Sequence, residues 1–155
     1  MLERYADVID AHGLCPYMRD VGGLGEVIVV LDPALDVELV VGAIRARSAR
    51  VIHVVFPCAP RDAAHPFERF CNNVATRVND RGSVHAAFHP AMTGGREDAD
   101  RRVGLVRRAP DPLLQLVPAG LPPAPRAIAD LDGVLADLAE LHAARSGFDL
   151  PGGAS

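Results

Sequence analysis

The sequence predicts an α/β fold: a mostly parallel or mixed sheet of about four strands, with helices packed on its faces. Short apolar runs of strand length alternate along the chain with longer segments whose apolar residues recur at helical spacing. This alternation implies right-handed crossovers, which place helices against the sheet. A chain of 155 residues suffices for one domain with a sizeable core, which we assign to residues 1–150, followed by a flexible tail at 151–155.

The first half of the chain predicts two helices and two strands. A short helix over 2–12 precedes the first strand, which the apolar run at 25–32 predicts. Asp32 and Pro33 then form a helix start signal, an N-cap acceptor followed by proline at the first helical position. The second strand is predicted at 50–57. The helix between these strands carries four apolar residues on one face: Val37, Val40, Val41 and Ile44.

The second half continues the alternation. The longest central helix is predicted over 62–80, and the third strand at 84–90. Residues 91–111 are polar and rich in glycine and arginine, which predicts a loop with one short helical turn. A short fourth strand follows at 113–118, and an amphipathic helix at 129–145 closes the domain.

Composition excludes several classes of function. The net charge is −4, which gives no basic face for nucleic acid, and all 16 positive residues are arginine. Without lysine, neither a Schiff-base enzyme nor a P-loop phosphate site is possible. No segment approaches the roughly 20 apolar residues of a membrane span, and the charged N-terminus lacks a signal peptide's apolar stretch. We therefore expect a cytoplasmic protein with reduced thiols and no membrane contact.

Sequence motifs exclude further classes, and the predicted topology suggests where a site should lie. The chain contains no CxxC, HExxH, GxSxG or GxGxxG motif, which disfavours zinc, hydrolase and dinucleotide sites. In α/β sheets, ligands bind in the loops beyond the carboxyl ends of strands. Three segments follow predicted strands in this way: 56–61, 89–108 and 118–121.

Cys15 is the thiol with the strongest functional interpretation. It lies between a predicted helix and a glycine-rich turn, and Pro16 after it forces an extended exit of the chain. A cysteine presented in this way could be a nucleophile, a thiolate ligand to haem iron or another metal, or a small buried hydrophobic residue. Cys71 lies on the apolar side of the central helix and is expected in the core. Cys58 follows Pro57 at the end of the second strand, and we favour a structural role for it over a functional one.

His89 is the histidine best placed for chemistry. It precedes Pro90 at the carboxyl end of the third strand, where a catalytic base or a metal ligand would lie. His85 lies four residues earlier, about 13 Å away along an extended strand at ~3.3 Å per residue. The two histidines therefore do not bind one metal ion, and we expect His85 to be a half-buried strand residue.

Arg107 and Arg108 are the arginines that we interpret as anion binders. A guanidinium group binds carboxylate or phosphate through two parallel hydrogen bonds. Haem propionates or an acidic substrate would be natural partners for these two residues.

The chain resembles an uncharacterised bacterial family of unknown function. That family carries Leu-Cys-Pro-Phe near its start, a central Phe-His-Pro and a later Asn-Arg-Ser-Pro-x-Pro-x-Leu-His-Leu-Leu-Arg-Glu segment. Here residues 14–17 read Leu-Cys-Pro-Tyr, residues 88–90 read Phe-His-Pro, and residues 107–119 keep the third motif in part. The resemblance covers about residues 5–119, with the order and spacing of the motifs preserved.

The resemblance implies that Cys15, His89 and Arg108 occupy signature positions of the family. Several polar residues of the third motif are replaced, while the Cys-Pro and His-Pro elements remain. This combination suits a divergent member with a specialised substrate, or one that has lost an ancestral activity. The replacing residues are Arg107, Ala109, Gln115, Pro118 and Ala119.

Three hypotheses of function follow. The leading one is a small-molecule enzyme, of redox type, in which Cys15 or His89 ligates haem or another metal and Arg107 and Arg108 hold an anionic substrate. The second is metal-free thiol catalysis, with Cys15 as nucleophile, His89 as base and Arg108 holding an anion. The third is a non-catalytic binding or assembly module, in which the leucines of the last helix face a partner or the apolar strands pair in a homodimer.

Overall fold

The computed structural model describes residues 1–14, 25–79, 82–94, 99–120, 128 and 130–147. These residues form a four-stranded mixed sheet with helices packed on it, which confirms the predicted α/β class. Cys15 and the predicted tail at 151–155 lie outside the described residues. In chain order the elements are α1 (Leu2–Ala11), β1 (Glu26–Val29), α2 (Val37–Arg45), β2 (Ile52–Val55), α3 (Ala64–Arg77), β3 (Ser83–Phe88), α4 (Ala99–Val106), β4 (Leu113–Pro118) and α5 (Leu131–Ser146).

The sheet has the strand order β1-β2-β4-β3. β1 and β2 are parallel, whereas β4 runs antiparallel to both of its neighbours, β2 and β3. The antiparallel direction arises because the chain leaves β3 and re-enters β4 at the same end of the sheet, where Phe88 pairs with Leu113. β1, β2 and β3 thus point in one direction, as crossover connections require, and β4 is inserted against them.

α4 corrects the prediction for the segment at 91–111. The sequence predicts a loop with one short helical turn, but Ala99–Val106 is an eight-residue helix. Its few apolar residues are the reason that periodicity did not reveal it. Leu105 and Val106 are buried, so packing rather than a long apolar stripe stabilises this helix.

α2 begins later than its start signal indicates. The side chain of Asp36, not Asp32, is the N-cap, and it accepts hydrogen bonds from the backbone N–H groups of Glu38 and Leu39. Asp32 instead accepts from the N–H of Ala34, two residues on, which is a local turn. Both aspartates bind backbone donors, but only Asp36 lies next to the periodic apolar residues.

α1 ends in a turn that requires glycine. Gly13 has φ of 62°, and its N–H donates to the carbonyl of Asp10, while the N–H of Leu14 donates to the carbonyl of Ile9. This pair of bonds is the Schellman arrangement, which closes a helix through one left-handed residue. The predicted end of this helix is therefore confirmed to within one residue.

α2 and α3 cover the first face of the sheet. Phe56, Phe67 and Phe70 form an aromatic group there, with ring centroids 5.4 to 6.0 Å apart. Cys71 belongs to the same core and is completely buried, as predicted. The remaining buried residues of this cluster include Ile28, Val30, Val40, Val41, Ile44, Ile52, Val54, Val74, Val78, Leu114 and Leu116.

α1, α4 and α5 pack on the second face. The hydroxyl of Tyr5 donates to the carbonyl of Val106 at 3.0 Å, which joins α1 to the end of α4. Leucines of α5 that the sequence offered as a partner face lie inside this layer, because Leu138 and Leu141 are buried in its apolar cluster. Within the described part of the chain, no helix combines the length and hydrophobicity needed to cross a membrane.

Candidate functional site

The loops that follow β2 and β3 meet at one end of the sheet. The Nε2–H of His89, just after β3, donates to the carbonyl oxygen of Pro60, in the loop after β2, at 3.0 Å. The third segment expected at a strand end begins at Pro118, which pairs with Ser83 at the opposite end because β4 is antiparallel. Only two of the three segments therefore come together.

His89 is fully buried, and both of its ring nitrogens are hydrogen-bonded. Nε2 donates to Pro60, and Nδ1 accepts the backbone N–H of Ala91 at 3.1 Å. The ring packs against Phe67, with centroids 5.4 Å apart. Burial lowers the pKa of His89, and the hydrogen bond to Pro60 and the carboxylate of Asp62 oppose this only in part. The ring is thus held as the neutral Nε2–H tautomer.

This arrangement leaves no nitrogen of His89 open to a metal or a substrate. Coordination at Nδ1 would break the bond from Ala91, and coordination at Nε2 would break the bond to Pro60. An axial haem ligand needs a nitrogen that faces the cofactor. His89, as it is placed here, therefore does not fit the role of an axial haem ligand. Because Cys15 is outside the described residues, its roles as metal ligand and as nucleophile stay predictions.

His89 instead organises the turn that follows β3. Its carbonyl accepts the N–H of Met92 at 2.9 Å, and its backbone N–H donates to the carbonyl of Arg107 at 3.0 Å. Together with its ring contacts, these bonds fix residues 89–92 against both the loop before α3 and the end of α4. Burial and a full set of hydrogen-bond partners are typical of a positioning residue.

Arg107 and Arg108 do not form a single anion site. Arg107 lines two adjoining cavities on the α3 side of β3. Arg108 donates from Nε to the carbonyl of Met92 at 2.8 Å and lines a different cavity, beside α5. Consecutive residues at the end of a helix project in different directions, so neighbours in sequence need not share a ligand.

The cavities at Arg107 form a cleft along the outer edge of the sheet, polar around His85 and more apolar towards the turn after β3. One has a volume of about 310 Å³, and the other, of about 440 Å³, extends towards the turn after β3. Both lie in the size range of small-molecule sites. We call this region the histidine cleft and define it by His65, Glu68, Arg69, Asn72, His85 and Arg107.

His85 is held in one tautomer inside this cleft. Its Nε2 lies 2.8 Å from the side-chain oxygen of Asn72, so Nε2 carries the proton and Nδ1 has the free lone pair. Partial burial lowers the pKa of His85, and the positive charge of Arg107 lowers it further. The imidazole is therefore neutral at pH 7 and able to accept a proton. The predicted strand position of His85 is confirmed, but its side chain is more exposed than predicted and lines a cleft.

Arg107 contributes a positive charge to the cleft. Among the residues whose side chains the structure describes, no carboxylate lies within 4.0 Å of its guanidinium group. Glu68, on the same wall, lies instead 3.3 Å from Nδ1 of His65. Arg69 adds a second cation to the lining. The cleft thus combines the cations of Arg107 and Arg69 and a neutral imidazole with the carboxylates of Glu68 and, at its far end, Asp62. The end at His85 and Arg107 is the part that suits an anionic ligand.

The α3 residues of the cleft are the part that sequence reasoning missed. They lie one, four, five and eight residues after Ala64, the first residue of α3. This spacing places their side chains on a single face of the helix. This polar stripe is opposite the apolar residues that identified the helix. The signal was visible, but a polar face of a helix is ordinarily only solvated. The stripe consists of His65, Glu68, Arg69 and Asn72.

Metal and thiol chemistry find little support elsewhere in the described residues. Across them, no three histidine, cysteine or acidic side chains are grouped so as to hold a metal ion. Cys58 is exposed and Cys71 is buried, and both are free thiols. Burial raises the pKa of the Cys71 thiol far above its usual range, so this sulfur is not a nucleophile.

Comparison with known proteins finds no matching family model, no matching curated protein and no matching solved structure. The histidine cleft is the region where charge, hydrogen bonding and cavity volume coincide.

Proposed function

We propose that the histidine cleft binds a small molecule through a carboxylate or phosphate group, and that His85 acts on that molecule as a proton acceptor. The observation that supports the proposal is the position of Arg107 beside the neutral ring of His85, with no carboxylate of the described side chains paired to its guanidinium group. The proposal keeps the anionic substrate and the Arg107 contact predicted from the sequence. It replaces His89 by His85 as the base.

Binding in this cleft would use the two arginines. Arg107 would bind the anionic group through paired N–H donors, and Arg69 would add charge from the rim. Because the cleft is open to solvent, salt screens these contacts and affinity falls as ionic strength rises. Hydrogen bonds to a charged group contribute about 1.5–3 kcal/mol, so loss of Arg107 should weaken binding about tenfold or more.

The chemical step would be a proton transfer at Nδ1 of His85. Asn72 accepts the Nε2–H bond and so keeps the ring in the tautomer whose Nδ1 lone pair is free. Nδ1 would accept a proton from an acidic C–H or O–H bond of the ligand, and the positive charge of Arg107 would stabilise the negative charge left behind. A base whose pKa is lowered stays unprotonated at neutral pH, as this role requires.

A calorimetric titration at low salt and pH 7 tests the binding, with inorganic phosphate and succinate as probes. Arg107→Gln should weaken binding of whichever probe binds by at least about tenfold. Arg4→Gln is the matched control, since Arg4 is exposed on α1 and lines neither cavity of the cleft. Equal affinity of the two variants would refute the proposal, as would the failure of both probes to bind.

Histidine NMR tests the role of His85 independently of affinity. A bound anion favours the protonated imidazole, so saturating probe should raise the pKa of His85 while leaving His89 unchanged. His85→Gln should retain binding but remove this titration. A probe that moves no histidine signal would place the anion elsewhere.

A further inference from the structure

A second cavity lies on the other side of the turn after β3, between α4 and α5. It has a volume of about 420 Å³, and we call it the leucine cavity. Leu105 and Leu138 are buried in its floor, and Leu135 adds a half-buried apolar wall. Residues 90–92 separate it from the histidine cleft. Pro90 lines the leucine cavity, whereas Ala91 and Met92 line the histidine cleft.

Among the described residues that line this cavity, Arg108 supplies the one permanent charge. Its Nε is bonded to the carbonyl of Met92, and its own carbonyl accepts the Nε2–H of His142 at 2.8 Å. The first bond holds the side chain against the turn, and the second ties the backbone of residue 108 to α5. Among the described residues, its terminal nitrogens make no ion pair within 4.0 Å. The guanidinium group therefore retains donors for an anion.

An apolar pocket with one fixed cation at its wall fits an amphipathic anion. We propose that the leucine cavity binds an aliphatic monocarboxylate, with the carboxylate on Arg108 and the hydrocarbon chain on Leu105, Leu135 and Leu138. At about 30 Å³ for each water-sized group, the cavity holds on the order of ten non-hydrogen atoms, which is the size of a medium-chain fatty acid. A hydrocarbon chain gains about 0.8 kcal/mol per buried methylene, so both parts of the ligand contribute to affinity.

This ligand class differs from that of the histidine cleft because the surroundings differ. In the cleft, polar side chains surround the cations, which suits a compact polar anion. In the leucine cavity, three leucines line the same space as Arg108 and His142, and a phosphate or a short dicarboxylate would leave the apolar wall uncovered. The inference does not depend on the function proposed for the cleft.

Calorimetry with three probes tests the inference: octanoate, octanol and acetate. Octanoate should bind at least tenfold more tightly than octanol, which lacks the charge, and than acetate, which lacks the chain. Equal binding of octanoate and octanol would overturn the proposal, because it would mean partition into an apolar surface without recognition by Arg108.

Two variants then locate the site. Arg108→Gln and Ala139→Phe should each weaken octanoate binding at least tenfold, the first by removing the cation and the second by filling the cavity from its rim. Ala136→Phe is the matched control for the second variant, since Ala136 is an exposed residue of α5 outside the lining. If Ala136→Phe weakens binding as much as Ala139→Phe, or if both lining variants bind normally, the proposal fails.

Arg107→Gln separates this site from the histidine cleft. It should leave octanoate affinity within twofold of the unmodified protein while weakening phosphate or succinate. A loss of octanoate binding in Arg107→Gln would contradict a separate site at Arg108. Failure of the cleft proposal alone would leave the octanoate results unchanged.

Discussion

Asp111 and Arg145 form a buried ion pair that ties α5 to the segment entering β4. Nε of Arg145 donates to Oδ1 of Asp111 at 2.7 Å, and each side chain is only 10% exposed. The same guanidinium group reaches the carbonyl of Pro57 at 3.3 Å, in the loop after β2. One side chain therefore connects the last helix with two strand-end segments.

Arg145→Met should destabilise the protein by about 3–5 kcal/mol, because it leaves the Asp111 carboxylate buried without its partner. The free energy of unfolding in urea measures this loss. Asp111→Leu combined with Arg145→Met should lose less than the sum of the two single variants, since neither charge remains. A loss below about 1 kcal/mol in Arg145→Met would show that the pair contributes little.

His89 should make stability depend on pH. Its pKa in the folded state is lowered below that of the unfolded chain, about 6.5, so the unfolded chain binds its proton first as pH falls. The contribution of His89 to the free energy of unfolding is constant above about pH 6.5. Below that pH it falls, and it stops falling once the pH is below the pKa of His89 in the folded state. Between pH 7.5 and 5.5, the free energy of unfolding should fall less in His89→Gln than in the unmodified protein. An equal fall in both would assign the effect to other groups, such as His85.

The two described thiols should differ greatly in reactivity. Cys58 is exposed, whereas Cys71 is buried and its pKa is raised, so its thiolate is scarce and out of reach. Iodoacetamide should alkylate Cys58 in the native protein and Cys71 only after unfolding, as peptide mass spectrometry would show. Labelling of Cys71 at the rate of Cys58 would contradict the packing of α3.

Gly25 should tolerate a side chain less well than Gly13. Both have positive φ, 67° and 62°, but an added Cβ at Gly25 would lie 2.3 Å from the Val51 carbonyl oxygen, whereas Gly13 has nothing within 4 Å. Gly13→Ala should cost about 1–2 kcal/mol from its left-handed backbone alone. Gly25→Ala should cost at least about 1 kcal/mol more, because it also disturbs the bond from Glu26 to Val51. Equal losses in urea unfolding would argue against the close approach of β1 to residue 51.

Local patterns in the sequence were sufficient to predict most of the elements. The apolar run at 50–57 contains β2, and the helical spacing from Phe67 to Val78 marks the buried side of α3. These signals are short-range, because a strand or helix buried on one side must show it in its own residues. The direction of β4 is different. It depends on where the chain re-enters the sheet, which no local run of residues encodes.

The candidate site was less predictable for the same reason. His89 and His85 are both histidines of one strand region, and only tertiary contacts distinguish the ring bonded to Pro60 from the ring that faces a cleft. Likewise, Arg107 and Arg108 are adjacent in sequence but separated in space by the turn that His89 holds. Residue type and position suggested which side chains carry chemistry, but they did not indicate which of them would meet.

The place of β4 in the sheet has a consequence for biosynthesis. Among the described residues β4 is the last strand, yet it is the neighbour through which β3 joins the sheet and the second partner of β2. Until residues 113–118 have been synthesised, β1 and β2 can pair with each other, but β3 has no neighbouring strand. The backbone N–H and C=O groups of β3 therefore stay unpaired during this part of translation. A transcript cut short before residue 113 would thus encode a chain with unmatched strands, prone to aggregation, rather than a smaller working protein.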